Sequence, residues 1–303
     1  MIRILAADGM EKSAITKLTE MGFEVVERHY EETELAEEIK NFDVVVVRSA
    51  TKIRKPIIDA ALETKRLKLI IRGGVGVDNI DVDYARANGI EVNNTPNASS
   101  ASVAELAIGH MFTLARFIHS ANVTMRQGKW NKKHYEGIEL AGKTLGLVGF
   151  GRIAKETAKR AEALGMKIVY TDICGPMDGY ERYRFCTLDE LLQVSDFVSL
   201  HIPFNKNQGP VIGKEQINRM KDGAYIINCA RGGVVSEDDL LEALDSGKLA
   251  GAALDVFVEE PTKNMALCSH EKVSLTPHIG ASTVEAQERI GEEIVDIITK
   301  FFA

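Results

Sequence analysis

Thr144-Leu145-Gly146-Leu147-Val148-Gly149-Phe150-Gly151-Arg152-Ile153-Ala154 is the stretch whose reading decides the fold. It joins a short apolar run to a helical pattern through G-x-G-x-x-G/A, a motif that gains weight from its context rather than from its glycines alone. The run 144–148 reads as a strand, and 153–164 reads as a helix. The next strand ends in Asp172, at the ~20-residue distance where a dinucleotide site places its acid. Each part has a physical reason. Gly149 permits the tight turn, Gly151 lets the backbone approach a pyrophosphate, and Ala154 keeps the helix close to the sheet. Arg152 and Ile153 open the helix, whose unpaired N–H groups and partial positive charge suit phosphates. Asp172 can accept hydrogen bonds from a ribose and would repel a 2′-phosphate. Ile173-Cys174-Gly175 brings no Arg or Lys, so NAD is expected rather than NADP.

Working outward, a second series of strands is expected at 167–171, 197–201, 224–229, 251–256 and 273–276, with a final helix over 283–302. Before the motif, strands are expected at 3–7, 23–26, 43–47, 67–71 and 89–92, alternating with helices at 11–20, 32–40, 56–64 and 81–88. Such alternation argues α/β architecture, parallel sheets with helices on both faces. A turn cluster at Asn93-Asn94-Thr95-Pro96-Asn97 precedes one long helix, which starts at Ser102 or nearer Asn97 or Ser99 and carries both His110 and His119 as structural residues. With a hinge at 96–99 and a return near Gly280, the domains are expected at 1–97 plus 281–303, and at 98–280.

The 303 residues, 45% hydrophobic and 27% charged, fit a globular two-domain chain. A net charge of −7 offers no electrostatic footprint for nucleic acid. No apolar run approaches the ~18 residues that a membrane helix needs, and no membrane partner is expected. Cys174, Cys186, Cys229 and Cys268 have no metal-ligand spacing and read as reduced thiols of a cytoplasmic protein, so no metal is expected. Lys129, Lys132 and Lys133 beside Trp130, the single tryptophan, read as a solvated face or a subunit contact.

Three apolar runs in the last third each lead to a polar residue: 224–230 to Arg231, 250–257 to Glu260-Pro261, and 272–277 to His278. Ligands of parallel sheets bind outside the carboxyl ends of the strands. An imidazole can exchange a proton near neutral pH. A neighbouring carboxylate orients that ring and favours its charged form. A guanidinium presents a planar fork to a carboxylate. Arg231 is therefore expected to grip a 2-keto or 2-hydroxy acid, His278 to move the hydroxyl proton, and Glu260 to tune His278. The strand ends at Arg48 and at Arg72, before Gly73-Gly74-Val75-Gly76, add cations and backbone N–H groups for a second anionic end, such as a phosphate. His201-Ile202-Pro203 closes another strand, and His201 and Pro203 are expected to line the cofactor pocket.

These residues resemble the D-isomer-specific 2-hydroxyacid dehydrogenases. The likeness runs through residues 47–52, 72–81, 94–97, 149–154, 228–233, 253–261 and 277–283, nearly the whole chain. The resemblance implies a flavodoxin-like substrate domain and a Rossmann NAD-binding domain, both doubly wound, with the cleft between them, and a homodimer built largely around the cofactor domain. It implies Arg231, Glu260 and His278 as the catalytic set, and Arg48, Arg72, Val75, Gly76 and Asn97 near the substrate. Cys229, Ala230, Asp255 and His278 join the expected cofactor contacts. The sequence ends at Ala303, so the carboxy-terminal regulatory domain of many relatives, with serine feedback through it, is not expected. Ala154 stands where a third glycine is more common, and 205–210 departs from the usual Thr-rich sequence. The resemblance implies oxidation of 3-phospho-D-glycerate to 3-phosphohydroxypyruvate as the reaction, and within the family a glyoxylate or hydroxypyruvate reductase is the alternative. An NAD-sensing corepressor is disfavoured by the intact Arg–Glu–His set.

Overall fold

Four consecutive valines, Val44–Val47, are all buried, and a strand apolar on both sides belongs inside a parallel sheet covered on both faces. In the computed structural model, which describes residues 1–303, they form the centre of a five-stranded sheet. Its strands are β1 (Arg3–Ala6), β2 (Glu24–Glu27), β3 (Val44–Val47), β4 (Leu69–Arg72) and β5 (Glu91–Asn94). The order is β2-β1-β3-β4-β5 with every pair parallel, the flavodoxin-like arrangement. Helices α1 (Lys12–Glu20), α2 (Glu32–Glu38), α3 (Lys55–Leu62) and α4 (Val82–Ala87) make the crossovers. Pro56 stands in the first turn of α3, where its missing N–H costs nothing.

This unit comprises Met1–Ser99 and Ala281–Ala303. The chain's last helix, Val284–Phe302, presses Ile290, Ile294, Val295 and Ile298 onto Ile4, Val44, Val46 and Ile71 of the sheet. The division falls after Ser99, two residues beyond Asn97, because Ala98 is buried in that same core and its carbonyl accepts from Arg289 Nε at 2.8 Å.

The second unit, Ser100–Gly280, opens with α5 (Ser100–Ala115) and α6 (Ile118–Arg126). Then follow β6 (Thr144–Val148), α7 (Arg152–Ala163), β7 (Lys167–Thr171), β8 (Arg184–Phe185), α8 (Leu188–Val194), β9 (Phe197–Leu200), α9 (Lys214–Arg219), β10 (Ala224–Asn228), α10 (Glu237–Asp245), β11 (Leu249–Leu254), α11 (Met265–Ser269) and β12 (Val273–Leu275). The seven strands run β12-β11-β10-β9-β6-β7-β8, all parallel. Counted from β6, this is the Rossmann order with one further strand at the β12 edge. The small residues of β11 admit close neighbours: a Cβ on Gly251 would lie 3.2 Å from Leu114 of α5.

The single long helix expected to hold both histidines is instead two. Phe117 takes left-handed backbone, φ 53°, and α5 and α6 bend by 66° at that point. The Phe117 ring packs on Tyr135, centroids 6.0 Å apart, and His119 therefore lies on α6 while His110 stays on α5. No single helix of the chain is long and apolar enough to cross a membrane.

Candidate active site

The register of the second sheet levels its strand ends. Thr171 pairs with Val148, Val148 with Leu200, Leu200 with Asn228, Asn228 with Leu254 and Leu254 with Leu275. The residues that leave the sheet next are Asp172, Gly149, His201, Cys229, Asp255 and Thr276, side by side along one carboxyl edge. Adjacent parallel strands stand about 4.8 Å apart, so the turns that follow them form one continuous rim.

At one end of this rim, β10, β11 and β12 are consecutive neighbours. Arg231 comes three residues after β10, in a turn braced by Asn228, whose Nδ2 donates to the Arg231 carbonyl at 2.9 Å and whose Oδ1 accepts from Ala230 N at 3.0 Å. The guanidinium is half-buried, and its Nη1 donates to the Ala230 carbonyl at 2.6 Å. Glu260 follows β11. Its Oε1 accepts from Phe257 N at 3.1 Å, and its Oε2 lies 2.7 Å from His278 Nδ1. Burial pushes the Glu260 carboxyl up. The His278 hydrogen bond and charge, the Phe257 N–H and the Arg231 charge outweigh it and hold the group below its ordinary range. Three strands thus bring cation, carboxylate and imidazole to one rim, with the carboxylate and the imidazole in direct contact.

His278 itself has left-handed backbone, φ 54°. Its N–H donates to the Asp255 carbonyl at 2.8 Å. The buried Asp255 carboxylate accepts from Thr276 Oγ1 at 2.6 Å, Ile279 N at 2.8 Å and Gly280 N at 2.9 Å. Expected as a cofactor contact, this side chain is engaged by the turn that carries His278. Gly232 has a steric role. A Cβ there would overlap the Phe257 carbonyl, so the Arg231 turn and the Glu260 loop approach backbone to backbone. Gly232→Ala is expected to cost about 1–3 kcal/mol, as overpacking does, because the Glu260 loop must move. Urea unfolding of the variant beside the wild type checks this, and an unchanged midpoint would refute it.

Farther along the rim, Gly149 has φ 86° and sits where a Cβ would meet the His201 carbonyl and Ile202. Gly151 caps α7 with no side-chain hydrogen bond, and nothing lies within 4 Å of where its Cβ would be. The first N–H groups of this 12-residue helix therefore have no side-chain cap. Asp172 Oδ2 accepts from Phe150 N at 2.7 Å and Oδ1 from Cys174 N at 2.9 Å. Burial raises the Asp172 carboxyl, but these N–H groups, the Cys174 thiol and Lys155 hold it below the usual carboxylate value. An open glycine cradle, an uncapped helix start and an anchored carboxylate are the parts that a pyrophosphate and a ribose require. The residues present fit a dinucleotide. Arg152 is exposed and Ile153 half-buried at the helix start. His201 Nε2 lies 3.0 Å from Ser199 Oγ, and burial pushes the ring down to about 4, leaving it neutral at pH 7. Pro203 is exposed, Ala230 half-buried, and burial pushes the Cys229 thiol up so that it stays protonated.

In the first unit, Asp8 at the end of β1 accepts from Arg48 N at 2.7 Å and from Thr51 N and Oγ1 at 3.0 and 2.6 Å. Asn79 Nδ2 donates to the carbonyls of Arg48 and Thr51 at 2.8 and 2.7 Å. The loop bearing Arg48 is thereby clamped from both sides. Arg48 lines a groove of about 420 Å³ with Glu11, Ser282, Thr283, Gln287 and Glu288. Arg72 ends β4 with its guanidinium folded over Gly74, where any Cβ would strike it. Val75 and Gly76 are half-buried in the following turn, and Asn97 is exposed.

Comparison with known proteins places this architecture. The model for "D-isomer specific 2-hydroxyacid dehydrogenase, NAD binding domain" matches residues 108–280. The chain belongs to that dehydrogenase family. It is 48% identical over 302 residues to the hydroxypyruvate reductase of Thermotoga maritima, covering 98% of this chain and 97% of the relative. It is 46% identical to the D-3-phosphoglycerate dehydrogenase of Methanocaldococcus jannaschii, covering 99% of this chain but 57% of that protein. Among solved structures, the TT0316 protein from Thermus thermophilus superposes with a TM-score of 0.89 at 34% identity, over 97% of this chain and 94% of that one.

Several residues of this dehydrogenase that shape the rim carry no motif of their own. Asn228 and Gly232 lie inside the matched stretch 228–233, yet their bracing contacts are visible only in three dimensions. Glu237 Oε1 accepts from Val258 N at 2.9 Å and Oε2 from Asn264 Nδ2 at 3.0 Å, tying α10 to the loop that holds Glu260. Its sequence signal is only that of an acid in the first turn of a helix.

Proposed function

We propose that this dehydrogenase interconverts an anionic D-2-hydroxy acid and the matching 2-keto acid with NAD, and that the acid is 3-phospho-D-glycerate, oxidised to 3-phosphohydroxypyruvate at the entry to serine synthesis. The observation that carries the chemistry is the 2.7 Å contact between His278 Nδ1 and Glu260, on strand ends level with that of Arg231. Arg48 and Arg72, at strand ends of the first unit, are cations of the kind that a phosphate takes. A second reading, hydroxypyruvate reductase, is favoured by the relative of that name, matched over 97% of its length.

Glu260 accepts from Nδ1, so Nδ1 carries the hydrogen and Nε2 faces the substrate. In oxidation Nε2 takes the hydroxyl proton; in reduction it returns that proton to the carbonyl oxygen. Glu260 remains ionised at neutral pH because its carboxyl is held below the ordinary value, and it stabilises the imidazolium while the proton is on the ring. That support is lost as pH falls through the lowered value. Arg231 holds the substrate carboxylate through two N–H groups. Bound NAD supplies the nicotinamide that accepts or donates the hydride. Asp172 meets the adenosine ribose and disfavours a 2′-phosphate. Gly149, Gly151, Arg152 and Ile153 would hold the pyrophosphate, and His201, Pro203, Cys229 and Ala230 would line the cofactor pocket. Val75, Gly76 and Asn97 are the further residues of the first unit that this reading assigns to substrate.

A homodimer is supported by α6, which buries no residue of its own, and by Trp130, 77% exposed. Four free cysteines accord with a reducing, cytoplasmic setting. The experiment that tests the reading follows NADH or NADPH consumption with 3-phosphohydroxypyruvate, hydroxypyruvate and glyoxylate. The highest kcat/KM is expected for NADH with 3-phosphohydroxypyruvate. Turnover of hydroxypyruvate alone would establish the second reading, and a preference for NADPH would remove Asp172 from the ribose site.

A further inference from the structure

A line of buried hydroxyl, imidazole and carboxylate groups leads from α5 to the turn that carries His278. His110 is 3% exposed. Its Nδ1 lies 3.0 Å from Ser274 Oγ and its Nε2 3.1 Å from Thr276 Oγ1. Thr276 Oγ1 lies 2.6 Å from Asp255 Oδ1. Asp255 in turn holds the N–H groups of Ile279 and Gly280 on its carboxylate and that of His278 on its backbone carbonyl.

Hydrogen-bond chemistry orders this line in one direction. With backbone N–H groups on both its oxygens, the Asp255 carboxylate acts as an acceptor, so the Thr276 hydroxyl donates to it. Thr276 has then spent its only proton, and its oxygen can only accept from His110. Nε2 therefore carries the hydrogen. A neutral imidazole has one N–H, so Nδ1 accepts, and the Ser274 hydroxyl is its donor. Burial pushes His110 below its ordinary value, against the pull of Asp255, and keeps the ring neutral at pH 7. The far end of the line is the left-handed residue His278. Such backbone persists in a non-glycine residue when its surroundings over-determine it.

We propose that His110 is a positioning residue for the reaction: as the Nε2–H tautomer it orients Thr276, and through Thr276 the Asp255 carboxylate that sets the His278 turn. The role rests on the reading of His278 as the proton-transferring group; the tautomer does not. An apolar side chain at 110 would leave the Thr276 oxygen without its donor and Ser274 without its acceptor, so that Asp255 alone holds Thr276, loosening a turn in which small displacements are costly to catalysis.

Two measurements on the full chain test this. Long-range nitrogen–proton correlation spectra of the imidazoles should show His110 as the Nε2–H tautomer at neutral pH. In steady-state assays His110→Leu should lower kcat about tenfold, with NADH affinity within about twofold of wild type. His110→Gln, whose amide nitrogen can still donate to Thr276, should recover most of the loss. An Nδ1–H ring in active enzyme would overturn the proposal. So would a folded His110→Leu with normal kcat, or a His110→Gln as impaired as His110→Leu. Absence of turnover with every 2-keto acid would take down the functional reading together with the role built on it.

Discussion

His278→Asn is expected to lower kcat by about 10²–10⁴-fold, the range that general acid–base catalysis supplies. The choice of Asn isolates the chemistry. Asn tolerates left-handed backbone, so the turn at φ 54° survives. Its amide can still donate toward Glu260, and the N–H to the Asp255 carbonyl is main chain and stays. What is lost is a group able to carry a proton. NADH binding, followed by fluorescence, should remain within about twofold of wild type, since the glycine cradle and Asp172 are untouched. A variant that turns over normally would remove His278 from the mechanism.

Arg231→Leu is the second large effect. Removing one partner of a desolvated, hydrogen-bonded charge pair costs about 2–5 kcal/mol, or roughly 30- to 5,000-fold in kcat/KM. The loss should appear in both kcat and KM, because the role proposed for the fork is both to bind the carboxylate and to align the carbon that reacts. The turn itself should hold, since Asn228 braces the main chain of 230–231 rather than the guanidinium. Arg231→Lys should recover little, as an ammonium lacks the two parallel donors. A kcat/KM for Arg231→Leu within about threefold of wild type would mean that the carboxylate is held elsewhere.

Much of the fold was legible because parallel sheets announce themselves locally. Runs such as 44–47 and 144–148 are apolar on both faces, and the glycine turn at 149–151 marks the strand from which the second sheet is wound. The alternation of strand and helix then leaves few topologies. What escaped reading has equally local causes. β8 is two residues long and exposed, with no periodicity to detect. The break after α5 depends on left-handed backbone at a phenylalanine, a residue type that signals no such turn, and on a ring contact to Tyr135 made only in the folded chain.

The candidate site divides in the same way. Arg231, Glu260 and His278 stand within three to six residues after recognisable strands, so their types and spacing could be read as chemistry. Asp255 also follows a strand, but its three internal donors come from residues 276–280, beyond the reach of a local pattern. His110 lies 164 residues from Ser274, and only the packing of α5 on β12 makes them partners. Gly232 and Asn228 lie in a matched stretch, yet no spacing reveals the reason for either, a backbone approach at Gly232 and side-chain hydrogen bonds to the main chain of 230–231 at Asn228.

Glu260 is proposed to act through His278 and by no other route, and a double-mutant cycle of Glu260→Gln and His278→Asn tests this, reading kcat for NADH-dependent reduction of the preferred 2-keto acid. Glu260→Gln alone should lower kcat by about 10²-fold, at the low end of the general acid–base range. Combined with His278→Asn it should add almost nothing, because residues that work as a unit are non-additive. Losses that multiply in the double variant would mean that Glu260 acts by a route other than His278.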